Sequence, residues 1–153
     1  MNQLLAKLKT AYPQFIFKPG EALFWSPKEQ TIYYPETSNT EVIWGLLHET
    51  GHALLKHYIF TTDIDLLNKE IAAWRKAKQL ASDYQTSIPD EHIEECLDSY
   101  RNWLHKRSEC PGCGNHGLQD VNKAYRCLNC AETWKVSSSN AYRPYRLSKG
   151  VIA

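Results

Sequence analysis

Long apolar runs are missing from this chain of 153 residues. No stretch reaches the roughly eighteen consecutive apolar residues that a membrane-spanning helix needs. The N-terminal segment carries Lys7 and Lys9 within an amphipathic pattern and lacks the apolar core and small-residue cleavage site of a secretory signal. We therefore expect a soluble, cytoplasmic protein with no membrane partner.

A large excess of either charge is also missing, since the formal net charge is +1. The charge is nevertheless uneven: residues 1–105 hold ten Lys and Arg against fourteen Asp and Glu, whereas residues 106–153 hold eight against three. The C-terminal part is only mildly basic, which argues against tight binding to DNA. The change in composition predicts a main domain over 1–107, a small module over 108–136 and a flexible tail over 137–153.

Cysteines are few, and their spacing does not indicate disulfides. Four of the five form two CxxC pairs, Cys110/Cys113 and Cys127/Cys130, with thirteen residues between the pairs. Each pair presents two thiolates at the spacing of a tetrahedral zinc site, and Gly112 and Gly114 are expected to take the positive φ of the first turn. We predict a zinc ribbon whose folding free energy comes from the bound ion.

The ribbon is either purely structural or a reader of protein or nucleic acid, and the sequence leaves both roles open. A reader would use cationic and aromatic side chains. Those available are Lys123, Arg126, Trp134 and Lys135 in the ribbon and Arg143 and Arg146 in the tail.

The rest of the chain has the pattern of an α+β domain. Apolar periodicity predicts a helix over residues 2–11 and a small antiparallel meander of strands at 15–17, 22–25 and 31–34. Three further helices are expected: from Ser38, Asn39 or Thr40 to about residue 56, over 65–82, and from Pro89 through residue 104.

The second predicted helix contains the motif His48-Glu49-Thr50-Gly51-His52. Positions i and i+4 of a helix share one face, so His48 and His52 can direct two imidazoles at one ion. Neutral imidazoles bind zinc, the ion lowers the pKa of a bound water, and Glu49 is placed to take the proton of that water. The motif predicts a catalytic zinc with Glu49 as general base.

The flanks of this motif indicate a helix packed into a core. Residues 42–47 and 53–55 are mostly apolar. Gly45 and Gly51 would each disfavour a helix by about 1 kcal/mol relative to alanine, which indicates close approach by another element. The alternative, a surface helix whose histidines face solvent, is therefore disfavoured.

A catalytic zinc normally takes a third protein ligand, and Glu70 is the best candidate. It lies near the start of the next helix, so a helix-loop-helix can bring it to the two histidines. His57, five residues beyond His52, would point away from the metal on a straight helix. The other competing ligands are Asp63, Asp65, His92 and His105.

The HExGH motif followed by Glu70-Ile71-Ala72-Ala73 resembles the glutamate-ligand zincins, specifically the ImmA/IrrE-type metallopeptidases, over roughly residues 15–85. The resemblance implies a small sheet over the active-site helix, zinc held by His48, His52 and Glu70, Glu49 as general base, and cleavage of a protein substrate, often a regulator. Trp74 stands where that group usually places Asn or Asp, so the side chain expected to hydrogen-bond a zinc-binding histidine is missing.

Peptidases of this group commonly hold the substrate as a strand added to the edge of the sheet. The strand at 31–34 is either that substrate-binding edge or an ordinary sheet strand.

A ribbon after an HExxH domain is also similar to SprT-like proteases that act on DNA-bound proteins. Those use a third histidine ligand, and no histidine lies between His57 and His92. The remaining alternative is a non-enzymatic binding module with a vestigial HExxH site. The first hypothesis is a metallo-endopeptidase with one catalytic and one structural zinc.

Overall fold

The computed structural model describes residues 1–37, 39–137 and 146–148, and this part holds four helices and seven strands. The predicted α+β class is confirmed. The chain divides into two compact units: unit 1 comprises residues 1–59 and 68–94, and unit 2 comprises residues 60–67 and 95–153. Within unit 2, residues on both sides of position 107 share one buried cluster, described below.

Unit 1 begins with helix α1, Asn2–Ala11, whose apolar face is buried through Leu5 and Leu8. Three strands follow: β1 (Ile16–Pro19), β2 (Phe24–Ser26) and β3 (Thr31–Tyr34). They form one sheet in the order β1-β3-β2, with β3 antiparallel to β2 and parallel to β1.

The predicted antiparallel meander is thus correct for β2 and β3 but wrong for β1. Pro19 and Gly20 mark a turn, but a turn signal does not specify which strand the next one pairs with. Strand β1 lies next to β3 and not next to β2, the strand that follows it in the chain. Strand β3 is therefore in the centre of the sheet. Of the two roles left open for Thr31–Tyr34, the ordinary sheet strand is therefore the one observed, and the edge is not. Pro19 lies on an edge strand, where its missing N–H is tolerated.

Helix α2, Thr40–Leu54, carries the HExxH motif. Of the three predicted capping residues, Asn39 is the cap, because its side chain accepts a hydrogen bond from the backbone N of Val42 at 2.8 Å. Ser38 lies outside the described residues. The helix ends about two residues before the predicted end, and Lys56 takes a positive φ of 56° just after it.

Helices α3, Asp63–Asp83, and α4, Asp90–Ser108, contribute residues to both units. Helix α4 starts directly after Pro89, as predicted, since proline fits the first turn of a helix. In unit 1 the indole Nε1 of Trp44 donates to the Ser87 carbonyl at 2.9 Å, which ties α2 to the segment before α4.

Unit 2 contains a four-stranded antiparallel sheet in chain order. Its strands are β4 (Gly117–Gln119), β5 (Ala124–Cys127), β6 (Thr133–Val136) and β7 (Arg146–Ser148). β7 falls within the predicted flexible tail, and its backbone is ordered by pairing with β6. The rest of that tail beyond residue 137 lies outside the described residues.

A buried ion pair fixes the core of unit 2. Asp63 Oδ2 accepts hydrogen bonds from Arg107 Nε and from the Tyr125 hydroxyl, each at 2.6 Å. The indole Nε1 of Trp134 donates to the Arg107 carbonyl at 3.0 Å. A buried charge is stable only when it is paired and hydrogen-bonded, and this cluster explains why residues 60–67 and 95–107 belong with the ribbon.

Candidate metal centres

The three side chains predicted to share a catalytic metal lie together in unit 1. His48 Nε2 and His52 Nε2 are 3.0 Å apart, Glu70 Oε2 is 3.2 Å from His48 Nε2, and Glu70 Oε1 is 3.5 Å from His52 Nε2. Ligand atoms around a tetrahedral zinc ion stand about 3.3 Å apart for Zn–N bonds of about 2.05 Å. The donor set and its spacing therefore fit a metal ion.

Close packing between α2 and α3 brings Glu70 to the histidines. A Cβ added at Gly51 would lie 2.8 Å from the carbonyl oxygen of Ala73, so only glycine fits there without a shift. The predicted backbone approach is confirmed at Gly51, whereas at Gly45 the neighbour is the Leu23 side chain. Ala73 is fully buried, which explains the small residue one turn after Glu70.

The Glu70 carboxylate is ionised at neutral pH. Burial raises its pKa, but hydrogen bonds and charge interactions with His48 and His52 outweigh burial and lower the pKa to about 2. Metals bind the ionised carboxylate, so Glu70 is in the state that a cation requires.

Glu49 is not part of this ligand group, although it neighbours His48 in sequence. Its Oε2 accepts a hydrogen bond from the backbone N of Trp25, in strand β2, at 2.8 Å. In the β2–β3 pairing Trp25 is opposite Ile32. Because β2 is an edge strand, the carboxylate of Glu49 is held at the border of the sheet. This contact could not be predicted from the sequence, because every residue except proline carries a backbone N–H.

The two imidazoles differ in what lies behind them. The His48 ring stacks on Trp74 with centroids 4.1 Å apart and planes at 31°, and its buried Nδ1 has no hydrogen-bond partner among the described residues. His52 Nδ1 instead lies 2.9 Å from His57 Nδ1. Trp74 thus packs against one candidate ligand, and His57 makes a polar contact with the other.

The remaining candidate ligands are engaged elsewhere. Asp63 pairs with Arg107, and Asp65 Oδ2 accepts from the backbone N of Thr61 at 2.9 Å. The rings of His92 and His105 pack on Trp74 and His116 respectively. None of these side chains joins the group of His48, His52 and Glu70 in the described part of the chain.

The four predicted cysteines form a second group, in unit 2. The Sγ atoms of Cys110 and Cys130 are 3.6 Å apart, and those of Cys113 and Cys127 are 3.5 Å apart. Sulfur atoms around a tetrahedral zinc stand about 3.8 Å apart for Zn–S bonds of about 2.3 Å. This group also fits a metal ion, and its four thiols complete a tetrahedral shell.

The two CxxC turns have matching backbones. The residue after the second cysteine takes positive φ in each, Gly114 at 74° and Ala131 at 63°. The backbone N of Gly114 donates to the Cys110 carbonyl, and that of Ala131 to the Cys127 carbonyl. Gly112 does not have positive φ, so that prediction is wrong; its nearest neighbour is the end of the flexible Glu132 side chain.

The surroundings of the four thiols allow one of them, Cys113, to lose its proton at a lower pH than usual. Hydrogen bonds from the backbone and then the side chain of Asn115 lower the pKa of Cys113 to about 6. Thiolates are the form that binds zinc, so Cys113 is ready to bind near neutral pH.

The structure places some of the side chains that a protein- or nucleic-acid-reading ribbon would use. Trp134 is 1% exposed and stacks on Tyr125 with centroids 5.4 Å apart, so it is unable to stack on a base. Lys123 Nζ lies 4.9 Å from the centre of the Phe60 ring. The side chain of Arg146, in β7, and the whole of Arg143 lie outside the described structure.

Comparison with protein-family models, curated proteins and solved structures gave no match for this chain. Among the described residues, no helix combines the length and apolarity needed to cross a membrane.

Proposed function

We propose that this protein is a zinc-dependent metallo-endopeptidase with its active site at His48, Glu49, His52 and Glu70. The carrying observation is the convergence of the three ligand side chains beside a carboxylate that stays outside the group. Three protein ligands leave one position of a tetrahedral ion for water or substrate, as catalytic zinc sites require.

The donor set favours zinc as the metal. Two imidazole nitrogens and one carboxylate are a ligand combination of catalytic zinc in hydrolases. A zinc ion in this position supplies Lewis acidity, which lowers the pKa of water and polarises a peptide carbonyl.

The residues of the chain supply the remaining steps. The Trp25 amide, by donating to Glu49 Oε2 at 2.8 Å, fixes the orientation of that carboxylate. Glu49 then takes a proton from the attacking water and delivers it to the leaving amine of the cleaved peptide. His48, His52 and Glu70 would hold the ion, and the tight α2–α3 packing at Gly51 keeps these side chains in place.

The substrate is a protein or peptide bound along β2. Extended peptides commonly add to the free edge of a sheet. β2 is an edge strand, and its Trp25 contacts the proposed general base. A peptide along this edge would reach Glu49, whereas β1 occupies the opposite edge.

The ligand set and the helix-loop-helix that carries it favour membership of the ImmA/IrrE-type metallopeptidases, with a zincin-like arrangement in unit 1. Many proteins of that type cleave a regulator, which makes a single protein partner the expected substrate. The SprT-like alternative requires a third histidine ligand, and Glu70 stands in the third place here.

The second zinc belongs to the four cysteines and is structural. Four thiolates close the coordination shell and leave no position for a substrate. A non-enzymatic role for the whole protein would need a closed shell at His48 and His52 as well, with a fourth protein ligand in place of water.

The test is a search for new peptide N-termini by mass spectrometry after incubating the zinc-loaded protein with a proteome digest and with intact cytosolic extract. Glu49→Gln should lower cleavage by roughly 100- to 10,000-fold, because a positioned general base contributes that much. Zinc content should stay unchanged, since Glu49 is not a ligand.

Glu41→Gln is the matched control, because Glu41 is an exposed carboxylate in the first turn of the same helix. It should cleave like the wild type. Equal cleavage by the wild type and Glu49→Gln would overturn the peptidase proposal.

A further inference from the structure

His57 lies against the outer nitrogen of a proposed zinc ligand. Its Nδ1 is 2.9 Å from His52 Nδ1, and the two ring centroids are 5.0 Å apart. The other nitrogen of His52, Nε2, faces His48 and Glu70 at 3.0 and 3.5 Å. His52 therefore directs one nitrogen to the metal position and the other to His57.

We propose that His57 is a positioning residue that orients His52 as a metal ligand. This inference rests on the proposed zinc site but not on peptide hydrolysis. A metal bound through Nε2 requires the His52 proton to be on Nδ1, which then donates to His57 Nδ1. Such a hydrogen bond fixes the tautomer and ring orientation of the ligand and increases its basicity.

The end of α2 explains how His57 reaches His52. Lys56, at φ 56°, donates its backbone N–H to the Ala53 carbonyl at 3.2 Å, and His57 donates to the His52 carbonyl at 3.1 Å. These two bonds form a Schellman motif, which reverses the chain after a helix. On a continued helix, five residues would place His57 about 140° away from His52. The termination of the helix thus returns His57 to the ligand.

The surroundings of His48 show why this contact matters. Trp74 covers the His48 ring, and no described residue bonds to the His48 Nδ1. An indole face limits ring movement but does not select a tautomer. In the described part of the chain, the polar support behind the two metal imidazoles therefore comes from His57.

The experiment measures zinc affinity of the full chain by competition with a chromophoric chelator. His57→Phe keeps a ring of similar size but removes the acceptor, and we expect roughly 10- to 100-fold weaker binding at one site. His57→Asn returns an acceptor oxygen near the place of Nδ1 and should recover most of the affinity. The four-cysteine site should bind equally in all variants.

Two control variants distinguish a failure of the His57 proposal from a failure of the proposed zinc site. His105→Phe removes an exposed histidine outside the metal group and should not change either affinity. His48→Ala should lose one zinc ion. If His48→Ala binds both ions, the catalytic metal site itself is overturned.

A second readout separates positioning from general stability. The visible spectrum of the cobalt-loaded protein should change in His57→Phe and return in His57→Asn, because the ligand field depends on the orientation of His52. If His48→Ala loses one ion while His57→Phe keeps wild-type affinity and spectrum, the role of His57 is overturned. It is also overturned if the Phe and Asn variants are weakened equally.

Discussion

The two metal groups of this protein are built on different supports. In unit 1, His48, His52 and Glu70 project from two long helices that pack through Gly51 and Ala73. In unit 2, four cysteines project from two short turns whose own apolar core is little more than Tyr125 and Trp134. We therefore expect the first group to keep its support without an ion, whereas the second group should depend on an ion in addition to the buried Asp63–Arg107 pair.

This difference matches the chemistry of each group. In the proposed assignment, three ligands on two packed helices would leave a position open beside Glu49, which suits catalysis. Four thiolates on short turns would complete the shell and supply folding free energy instead. The predictions below test how far the two supports differ.

Removal of both metals by a strong chelator should destabilise unit 2 much more than unit 1, and this is the largest difference expected between them. Unit 2 should lose the strand protection of residues 117–136, because structural zinc contributes on the order of 10 kcal/mol to such ribbons. Helix α2 should keep its protected amides. Hydrogen exchange read by mass spectrometry checks this, and equal loss of protection in both units would contradict the comparison.

Asp63→Asn tests whether zinc alone holds unit 2. The variant leaves the Arg107 charge buried without its anion, which should lower the free energy of unfolding by roughly 3–5 kcal/mol in zinc-saturated protein. Urea unfolding measures the loss. The control is Asp98→Asn, which breaks an exposed pair with Arg101 and should change stability by less than about 1 kcal/mol. Similar small losses in both variants would mean that the ion is the main support.

Gly51→Ala tests the rigid frame of unit 1. The added Cβ meets the Ala73 carbonyl, so α2 and α3 must separate, at a cost of roughly 1–3 kcal/mol. Zinc should bind more weakly at the His48, His52 and Glu70 group and normally at the cysteines, as a chelator competition would show. Gly45→Ala is the control, because its added Cβ meets only the flexible Leu23 side chain. Unchanged zinc affinity in Gly51→Ala would show that the packing of α2 against α3 does not control metal binding by His48, His52 and Glu70.

Tyr125→Phe should have a distinct pH dependence. Loss of the hydrogen bond to Asp63 should cost roughly 1.5–3 kcal/mol near neutral pH. Burial and the bond to Asp63 raise the pKa of Tyr125 above its ordinary value of 10.0. The raised value stabilises the fold below pH 10.0, and this contribution is lost as the pH rises above it, since the unfolded tyrosine ionises first.

Urea unfolding on both sides of pH 10.0 checks the sign. The wild type should lose more stability than Tyr125→Phe as the pH rises, and the exposed Tyr58→Phe should behave like the wild type. Parallel pH profiles for the wild type and Tyr125→Phe would contradict the buried role of the hydroxyl.

Much of the local structure could be predicted from the sequence. The i, i+4 spacing of His48 and His52, the CxxC pairs and the Asn39 cap are local patterns whose physical meaning depends on few neighbours. Glu70 was predicted because a helix-loop-helix of that length returns the chain to α2. The glycine at 51 gave a correct sign of close packing.

The failures concern contacts that join distant segments. The order β1-β3-β2 depends on which strand pairs with which, and turn residues do not encode that choice. A straight helix would point His57 away from His52. The chain reverses at Lys56, which has positive φ, and position 56 is not the glycine that usually marks such a reversal. The ion pair of Asp63 and Arg107 joins residues 44 positions apart, so no local pattern reveals it.

The most direct test is the number of zinc ions bound by the wild type, His48→Ala and Cys110→Ser, measured by elemental analysis of purified protein. Two independent centres predict two ions per wild-type chain and one in each variant, with the cysteine site kept in His48→Ala. A single ion in the wild type, lost in Cys110→Ser and retained in His48→Ala, would contradict the proposed catalytic zinc.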